Sequence, residues 1–307
     1  MIRVPVLLGP TAVGKTDLAI KIAERFDMEI ISCDSRQIYR FMDIGTAKPS
    51  REMLARHRHW MIDIVDPDQD YSCFQYAQEA ARIIRQRALA GKRTLICGGS
   101  GLYFGGLSKG IGPMVEAQPE LRRRYYEQAR QFGNQSVFDE LKRVDPQTAA
   151  GSHPANLQRN VRALEVHATT GLTKTELSGR ASPPQDLEFL VMACGLPREV
   201  LYRRIDERVG AMAREGLLEE FRALLRKGYG PGDPGMRCVG YKELFAVERG
   251  AVSLPAALDA IRQNTRNYAK RQLTWLRHQV RCVAIDMRET PLEAVRNRVG
   301  AFIHRVG

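Results

Sequence analysis

The sequence predicts an α/β fold: a parallel sheet flanked by helices, with a small all-helical insert domain. Three observations predict it. Short apolar runs at 4–8, 29–33 and 94–97 alternate with stretches of helical periodicity, and each run ends in a polar or glycine-rich loop. The first run leads into Gly9-Pro10-Thr11-Ala12-Val13-Gly14-Lys15-Thr16, after which Leu18, Ala19, Ile22, Ala23 and Phe26 recur at helical spacing. Residues 113–184 then change character: they open with Pro113 and Pro119, are rich in Arg, Gln, Glu and Ala, and close on Ser182-Pro183-Pro184. The expected division is a core of 1–112 plus 185–307 and a helical insert at 113–184.

The run at 4–8, with Val4, Val6, Leu7 and Leu8, reads as a buried strand. Residues 9–16 form a complete phosphate-binding loop, with Gly9, four free positions, Gly14, Lys15 and Thr16. Its glycines allow turns in which successive N–H groups point at phosphate oxygens. The helix starting near Lys15 adds its positive N-terminal end. Lys15 supplies an ammonium, and the Thr16 hydroxyl can hold Mg2+. The fold is therefore expected to be P-loop NTPase-like. A second strand at 29–33 ends at Asp34, a helix spans 76–89, and a third strand at 94–97 ends in Gly98-Gly99-Ser100-Gly101-Leu102-Tyr103. Helices are expected at 121–132, 137–144 and 156–169, a return strand at 187–196, and a last strand at 281–286. In open parallel sheets sites lie beyond the strand C-termini, so the loops at 9–16, 34–39 and 98–103 should converge.

Composition narrows the class. The chain has 307 residues, 44% of them hydrophobic, enough for a sizeable core. No apolar run approaches the length of a membrane span, and the first residues lack a signal-peptide pattern. The six cysteines (Cys33, Cys73, Cys97, Cys194, Cys238, Cys282) are scattered singly, and reduced thiols in a cytoplasmic protein are expected. The formal charge of +12 favours a polyanionic partner, though solvated basic faces are common. Its distribution is more telling. Residues 260–285 hold no acid but carry Arg262, Arg266, Lys270, Arg271, Arg277 and Arg281, with Tyr268 and Trp275 among them, and the first three fall four apart on one helical face. That tract is either a solvent-facing helix surface or a phosphate-backbone track with aromatic contacts to bases.

Several constellations carry chemistry. Asp34 beside a phosphate loop has three open uses: metal ligand, general base, or helix N-cap. The glycines at 98–101 either let backbone approach a ligand, with Ser100 offering a hydroxyl, or serve a turn needing positive φ. Arg159 and Arg162, and Arg204 and Arg208, are pairs suited to forked phosphate contacts, although such pairs are more often solvated faces. Asp63, Asp66 and Asp68 read as turn chemistry rather than a metal cluster.

Taken as an ordered series, the motifs resemble those of the tRNA dimethylallyltransferase (tRNA isopentenyltransferase) family, bacterial type. They are the loop at 9–16, Asp-Ser-Arg-Gln-Ile-Tyr-Arg at 34–40, Met-Asp-Ile-Gly-Thr-Ala-Lys-Pro at 42–49 and Gly-Gly-Ser-Gly-Leu-Tyr at 98–103. Further along come Gln-Arg-Asn-Val-Arg-Ala-Leu-Glu-Val at 158–166, Arg-Cys-Val-Gly-Tyr-Lys-Glu at 237–243 and Thr-Arg-Asn-Tyr-Ala-Lys-Arg-Gln-Leu-Thr-Trp-Leu-Arg at 265–277. The resemblance implies transfer of a dimethylallyl group from dimethylallyl diphosphate to N6 of the adenosine just 3′ of the anticodon. That base must be flipped out of its stack. By the family pattern Asp34 is the general base and Ser100 bonds a diphosphate oxygen. The donor is held by Gly9, Pro10, Thr11, Ala12, Val13, Gly14, Lys15, Thr16 and Arg208, with Mg2+ on Thr16. The resemblance further implies tRNA contacts from Asp34, Ser35, Arg36, Gln37 and Ser100, with Gln37 reading the adenine. Others would come from Arg122, Gln158, Arg159, Asn160, Val161, Arg162, Arg237, Cys238, Val239, Gly240, Tyr241, Lys242, Lys270 and Arg271. The insert would contact the anticodon arm, and the protein is expected to be a monomer.

Some positions depart from that pattern. Ser100 stands where threonine is usual, Phe41 where glycine is usual, and His59-Trp60 where histidines are paired. His153-Pro154-Ala155-Asn156 matches loosely, and a C-terminal zinc-finger extension is not expected. The rival readings are a small-molecule kinase, which leaves the basic tract unexplained, and an RNA-dependent P-loop NTPase. The latter needs a second carboxylate near the phosphates, for which Asp63 is the other candidate.

Overall fold

The computed structural model describes residues 1–113 and 115–305. They fall into two compact units, Met1–Ser108 with Gln185–Gly307, and Lys109–Pro184.

In the first unit the chain runs through β1 (Ile2–Leu8), α1 (Lys15–Phe26), β2 (Met28–Cys33), α2 (Arg51–Arg56), β3 (His59–Trp60), α3 (Cys73–Leu89), β4 (Arg93–Gly98) and α4 (Gly101–Lys109). The strands lie in one six-stranded sheet of order β3-β2-β4-β1-β5-β6, all parallel, with β5 (Leu187–Gly195) and β6 (Val283–Asp286) supplied after the insert. Every crossover is helical, as parallel strands require. The apolar residues of β1 alternate between two cores. Val4, Val6 and Leu8 pack on one face with α3 and α4, and Leu7 packs on the other with α1. A central strand buried on both faces reads as a continuous apolar run, which is why β1 was legible.

Register matters more for the site than the strand order does. Leu8 pairs with Gly98, and Cys33 also pairs with Gly98, so β1, β2 and β4 end level. The three loops that follow therefore start side by side. Backbone bonds lock them together: Gly9 N–H to Gly98 O, 3.2 Å, and the Gly99 and Ser100 N–H groups to Cys33 O, 3.0 and 2.9 Å.

The second unit is all-helical: α5 (Pro119–Val144), α6 (Pro146–Ala150), α7 (Leu157–Thr170) and α8 (Lys174–Gly179). Its core is Tyr125, Ala129, Val137, Phe138, Leu141, Ala149, Val161, Ala163 and Leu164. As expected from 121–132 and 137–144, α5 is two helical stretches, and they meet at a kink at Gly133, whose φ of 78° only glycine adopts cheaply.

The remaining helices of the first unit are α9 (Arg198–Arg214), α10 (Leu217–Arg226), α11 (Leu244–Glu248), α12 (Leu254–Gln279) and α13 (Leu292–Ile303). The last expected strand, 281–286, is the shorter β6. All six cysteines are free thiols. Among the described residues no helix is long and apolar enough to cross a membrane.

Candidate active site

The phosphate loop owes its shape to two left-handed residues, Ala12 at φ 63° and Gly14 at φ 96°. Gly14 caps α1 without any side-chain bond, so the first amides of that helix face the loop unsatisfied. Lys15 folds back, and its Nζ donates to Pro10 O at 3.0 Å. Burial of the ammonium lowers its pKa, partly offset by Cys97 and Asp34. Two arginines of α9 lie over the same loop. Arg204 Nη1 donates to Val13 O and Arg208 Nη1 to Thr11 Oγ1, each at 3.2 Å. Burial also lowers the pKa of Arg208. Among the described residues no carboxylate lies within ion-pair distance of Lys15, Arg204 or Arg208, although ion pairs are frequent elsewhere in the chain. Three cations without an ion-pair partner, beside the first amides of α1, make a site for a multiply charged anion.

Asp34 follows β2. Its Oδ1 accepts from the Arg36 N–H at 2.9 Å, an Asx turn that faces the carboxylate toward the loops. Two cavities meet at this residue. The first, about 300 Å³, is lined by the phosphate loop with Asp34, Gln37, Thr46, Ala47, His59, Arg204 and Arg208. The second, about 380 Å³, is lined by Asp34, Arg36, Thr46, Ala47, Arg208, Arg237, Cys238, Val239, Gly240, Lys242, Tyr268 and Arg271, among others. Thr11, Asp34, Thr46, Ala47 and Arg208 line both. The second cavity combines five exposed or half-buried cations with the Tyr268 ring, over which Arg271 sits 5.7 Å from the centroid. Tyr268 is tied to Ser35, and burial first of all, then the Asp34 charge, raises its pKa.

Gln37 is held by the Ser32 hydroxyl at 3.1 Å and donates to Ala47 O at 3.1 Å, so its amide is oriented along the first cavity. Ser100 is 8% exposed and is not among the residues lining either cavity. Its amide bonds Cys33 O, and its carbonyl accepts from Cys33 Sγ at 3.4 Å. The glycines beside it need neither positive φ nor a ligand to explain them. A Cβ on Gly98 would stand 2.1 Å from Cys33 O, one on Gly99 2.2 Å from Gln272 Nε2, and one on Gly101 2.2 Å from the Trp275 ring. The loop is glycine-rich because neighbouring elements press against it.

Several residues named from sequence take structural roles. Asn160 is fully buried, with its amide bonded to the Ser152 hydroxyl and His153 O, and Val161 is core; neither side chain can touch RNA. Tyr241 is fully buried, its ring filling the space where Gly45 would carry a Cβ. Arg162 and Arg122 both bind Glu165, a buried carboxylate that also accepts from the Gln118 N–H; Arg122 remains partly exposed. Gln158 and Arg159 are exposed on α7. In the basic tract Arg266 is bound to Asp206 at 2.7 Å and Arg262 to Asp259 at 2.5 Å. An acid-free stretch of sequence thus found its acids on α9 and one turn upstream. Among the described residues Lys270, Arg271 and Arg277 have no carboxylate within ion-pair distance. Asp63 is committed to the Lys48 ammonium and Asp66 to Arg40, and among the described residues no cluster of three His, Cys, Asp or Glu could hold a metal.

Sequence reasoning missed Gln272. It is 7% exposed on α12; its Oε1 accepts from the Thr11 N–H and its Nε2 donates to Gly99 O, both at 2.9 Å. One side chain therefore bridges the phosphate loop and the glycine loop. Arg204 was singled out only as a pair with Arg208, and Tyr268 only as an aromatic among cations. Helical spacing held the signal for Gln272: it lies one residue after Arg271 and three before Trp275, both of which face the same loops.

Fold and site define a phosphate-loop α/β protein whose anion site opens, through one carboxylate, onto a basic cavity. The IPP transferase family model matches residues 37–279. The chain is 43% identical over 278 residues to the tRNA dimethylallyltransferase of Geobacter sulfurreducens, covering 90% of this chain and 89% of that one. It is 38% identical to tRNA dimethylallyltransferase 1 of Pelobacter propionicus, over 98% and 97% of the two chains. The crystal structure of a tRNA isopentenylpyrophosphate transferase from Bacillus halodurans superposes with a TM-score of 0.73 at 33% identity, over 99% and 97% of the chains. The chain belongs to the IPP transferase family.

Proposed function

We propose that this chain transfers a dimethylallyl group from dimethylallyl diphosphate to N6 of the adenosine 3′-adjacent to the anticodon in tRNA. The observation that carries the reading is the position of Asp34 between an anion site and a basic, aromatic cavity. A transferase needs its donor and acceptor on two sides of one proton acceptor. A nucleotide hydrolase needs a water-positioning site instead, and Asp63, the other carboxylate considered for that role, is bound to Lys48.

The donor diphosphate occupies the first cavity, at the first amides of α1, with Lys15, Arg204 and Arg208 around it. The flipped adenine enters from the second cavity. Its N6 attacks the allylic carbon, and the carbon–oxygen bond to the diphosphate breaks. The bonding electrons leave on the diphosphate, where the three cations stabilise the growing charge. Asp34 accepts the proton that N6 sheds. Gln37, already oriented by Ser32 and Ala47, reads the adenine edge. Arg36, Arg237, Lys242, Lys270 and Arg271 take the adjoining phosphates, and Arg122, Gln158 and Arg159 of the helical insert take the anticodon arm. Ser100 acts through the wall, by fixing Cys33 and the end of β2.

The Thr16 hydroxyl at the loop is an oxygen donor that suits Mg2+, which takes its remaining ligands from water and phosphate. Bound there, Mg2+ would neutralise part of the leaving diphosphate charge. The proposed setting is the cytoplasm, with the chain acting as a monomer.

The test is direct. The protein with Mg2+ and an unmodified anticodon stem-loop RNA is given dimethylallyl diphosphate in one reaction and ATP in another, and the RNA mass is read. One added prenyl unit on one adenosine, with the isoprenoid only, is the expected result. No mass change, with ATP consumed when RNA is added, would move the assignment to an RNA-dependent NTPase.

A further inference from the structure

The wall between the two cavities is built from an unfavourable backbone. Thr46 and Ala47 line both cavities, and their segment takes left-handed conformations at Phe41, φ 66°, and Ala47, φ 50°. The segment that backs it does the same at Met61, φ 65°, and Asp63, φ 55°. Non-glycine residues persist in this region only where their surroundings over-determine them. Two side chains do so here. The Lys48 ammonium binds Tyr39 O at 2.6 Å, Asp43 at 2.8 Å and Asp63. The other is Glu220 of α10. Its carboxylate accepts from the N–H groups of Asp43, Ile44 and Gly45 at 2.8, 2.8 and 3.1 Å, and from the Tyr241 hydroxyl at 2.6 Å. Three successive amides converging on one point form an anion nest, filled here by the protein's own carboxylate.

Tyr241 extends the connection. A Cβ on Gly45 would fall 2.5 Å from its ring, so ring and strap are in direct contact. Tyr241 also belongs to the turn whose Arg237, Cys238, Val239, Gly240 and Lys242 line the acceptor cavity. Glu220 itself lines neither cavity.

We infer that Glu220 is a positioning residue for the transfer: by clamping the 43–45 amides to Tyr241, it fixes the wall at Thr46 and Ala47 against the turn at 237–242 and so sets the width of the acceptor cavity beside Asp34. The inference rests on the proposed transfer, because width there matters only if a base enters from that side. The phosphate loop is not part of the clamp, so the effects should separate.

Glu220→Gln replaces one acceptor oxygen by a donor facing N–H groups. Tyr241→Phe removes one of the four bonds and keeps the ring. For each variant, kcat and KM are measured for dimethylallyl diphosphate and for stem-loop RNA, with pyrophosphate affinity by calorimetry and Tm alongside. For Glu220→Gln, kcat/KM toward RNA should fall about 10- to 100-fold, the scale expected of an ångström-level misplacement, with pyrophosphate affinity within about 2-fold of wild type. Tyr241→Phe should fall a few-fold in the same parameter. Wild-type kcat/KM for RNA with a lowered Tm would overturn the inference, making the clamp purely structural. An equal loss of pyrophosphate affinity would also overturn it. If Glu220→Gln does not fold, the same two criteria are applied to Tyr241→Phe. Failure of wild-type protein to prenylate RNA would instead refute the proposed function, and is read in the same assay.

Discussion

Gln272→Leu removes both ends of the bridge between the phosphate loop and the glycine loop at nearly constant volume. Two bonds of 2.9 Å are lost, and their partners, the Thr11 N–H and Gly99 O, are left without replacement. Gly99 O is enclosed, so it bears the larger part of the penalty for an unsatisfied buried group, about 1–3 kcal/mol. The Thr11 N–H is partly accessible, and water recovers some of its loss, leaving roughly 1 kcal/mol. The added apolar contact of leucine offsets under about 1 kcal/mol. The net destabilisation is about 2–3 kcal/mol, or a Tm lowered by roughly 4–12 °C for a chain of this size. Thr11 also holds Arg208 through its hydroxyl, so the anion site should loosen as well. Pyrophosphate affinity should fall about 10-fold and prenyl transfer further, because transfer depends on the geometry of the loop as well as on occupancy. The assays are a thermal melt and pyrophosphate calorimetry. A variant with wild-type Tm and wild-type pyrophosphate affinity would refute the reasoning.

Other outcomes follow from the same geometry. Asp34→Ala should keep stem-loop RNA affinity and lose prenyl transfer by about 10²- to 10⁴-fold, the usual share of a general base; unchanged transfer would sink that assignment. Lys15 titrates below its ordinary 10.5 because its ammonium is buried, so the cost of burying the charge is greatest below the folded pKa and is relieved as pH rises toward 10.5. Pyrophosphate must meet a charged Lys15, so affinity should decline as pH rises through the folded pKa, while Lys15→Arg, which does not titrate, should flatten that limb; identical profiles for the two proteins would count against it. Gly101→Ala puts a methyl 2.2 Å from the Trp275 ring and should cost about 1–3 kcal/mol in a denaturant titration, with no loss if the indole can step aside freely.

The sequence by itself determined five of the six strands, with β3 at His59–Trp60 not expected, together with the phosphate loop and the place of Asp34. These are local: β1 is a continuous apolar run buried on two faces, the loop is a motif of fixed spacing, and Asp34 ends a strand whose register follows from its pairing with β4. The helices at 121–132 and 137–144 were legible from periodicity, and the break expected between them falls at Gly133. The tertiary structure decided which side chains are committed. Asn160, Val161 and Tyr241 sit in conspicuous motifs yet are buried, and Arg266 sits in an acid-free tract yet is bound to Asp206, 60 residues away. Gln272 and Glu220 look ordinary in one dimension because their partners, at Thr11, Gly99 and the 43–45 amides, are remote in sequence and mostly backbone. A backbone amide leaves no residue signature, so a side chain that works by holding one can be recognised only once the chain has folded around it.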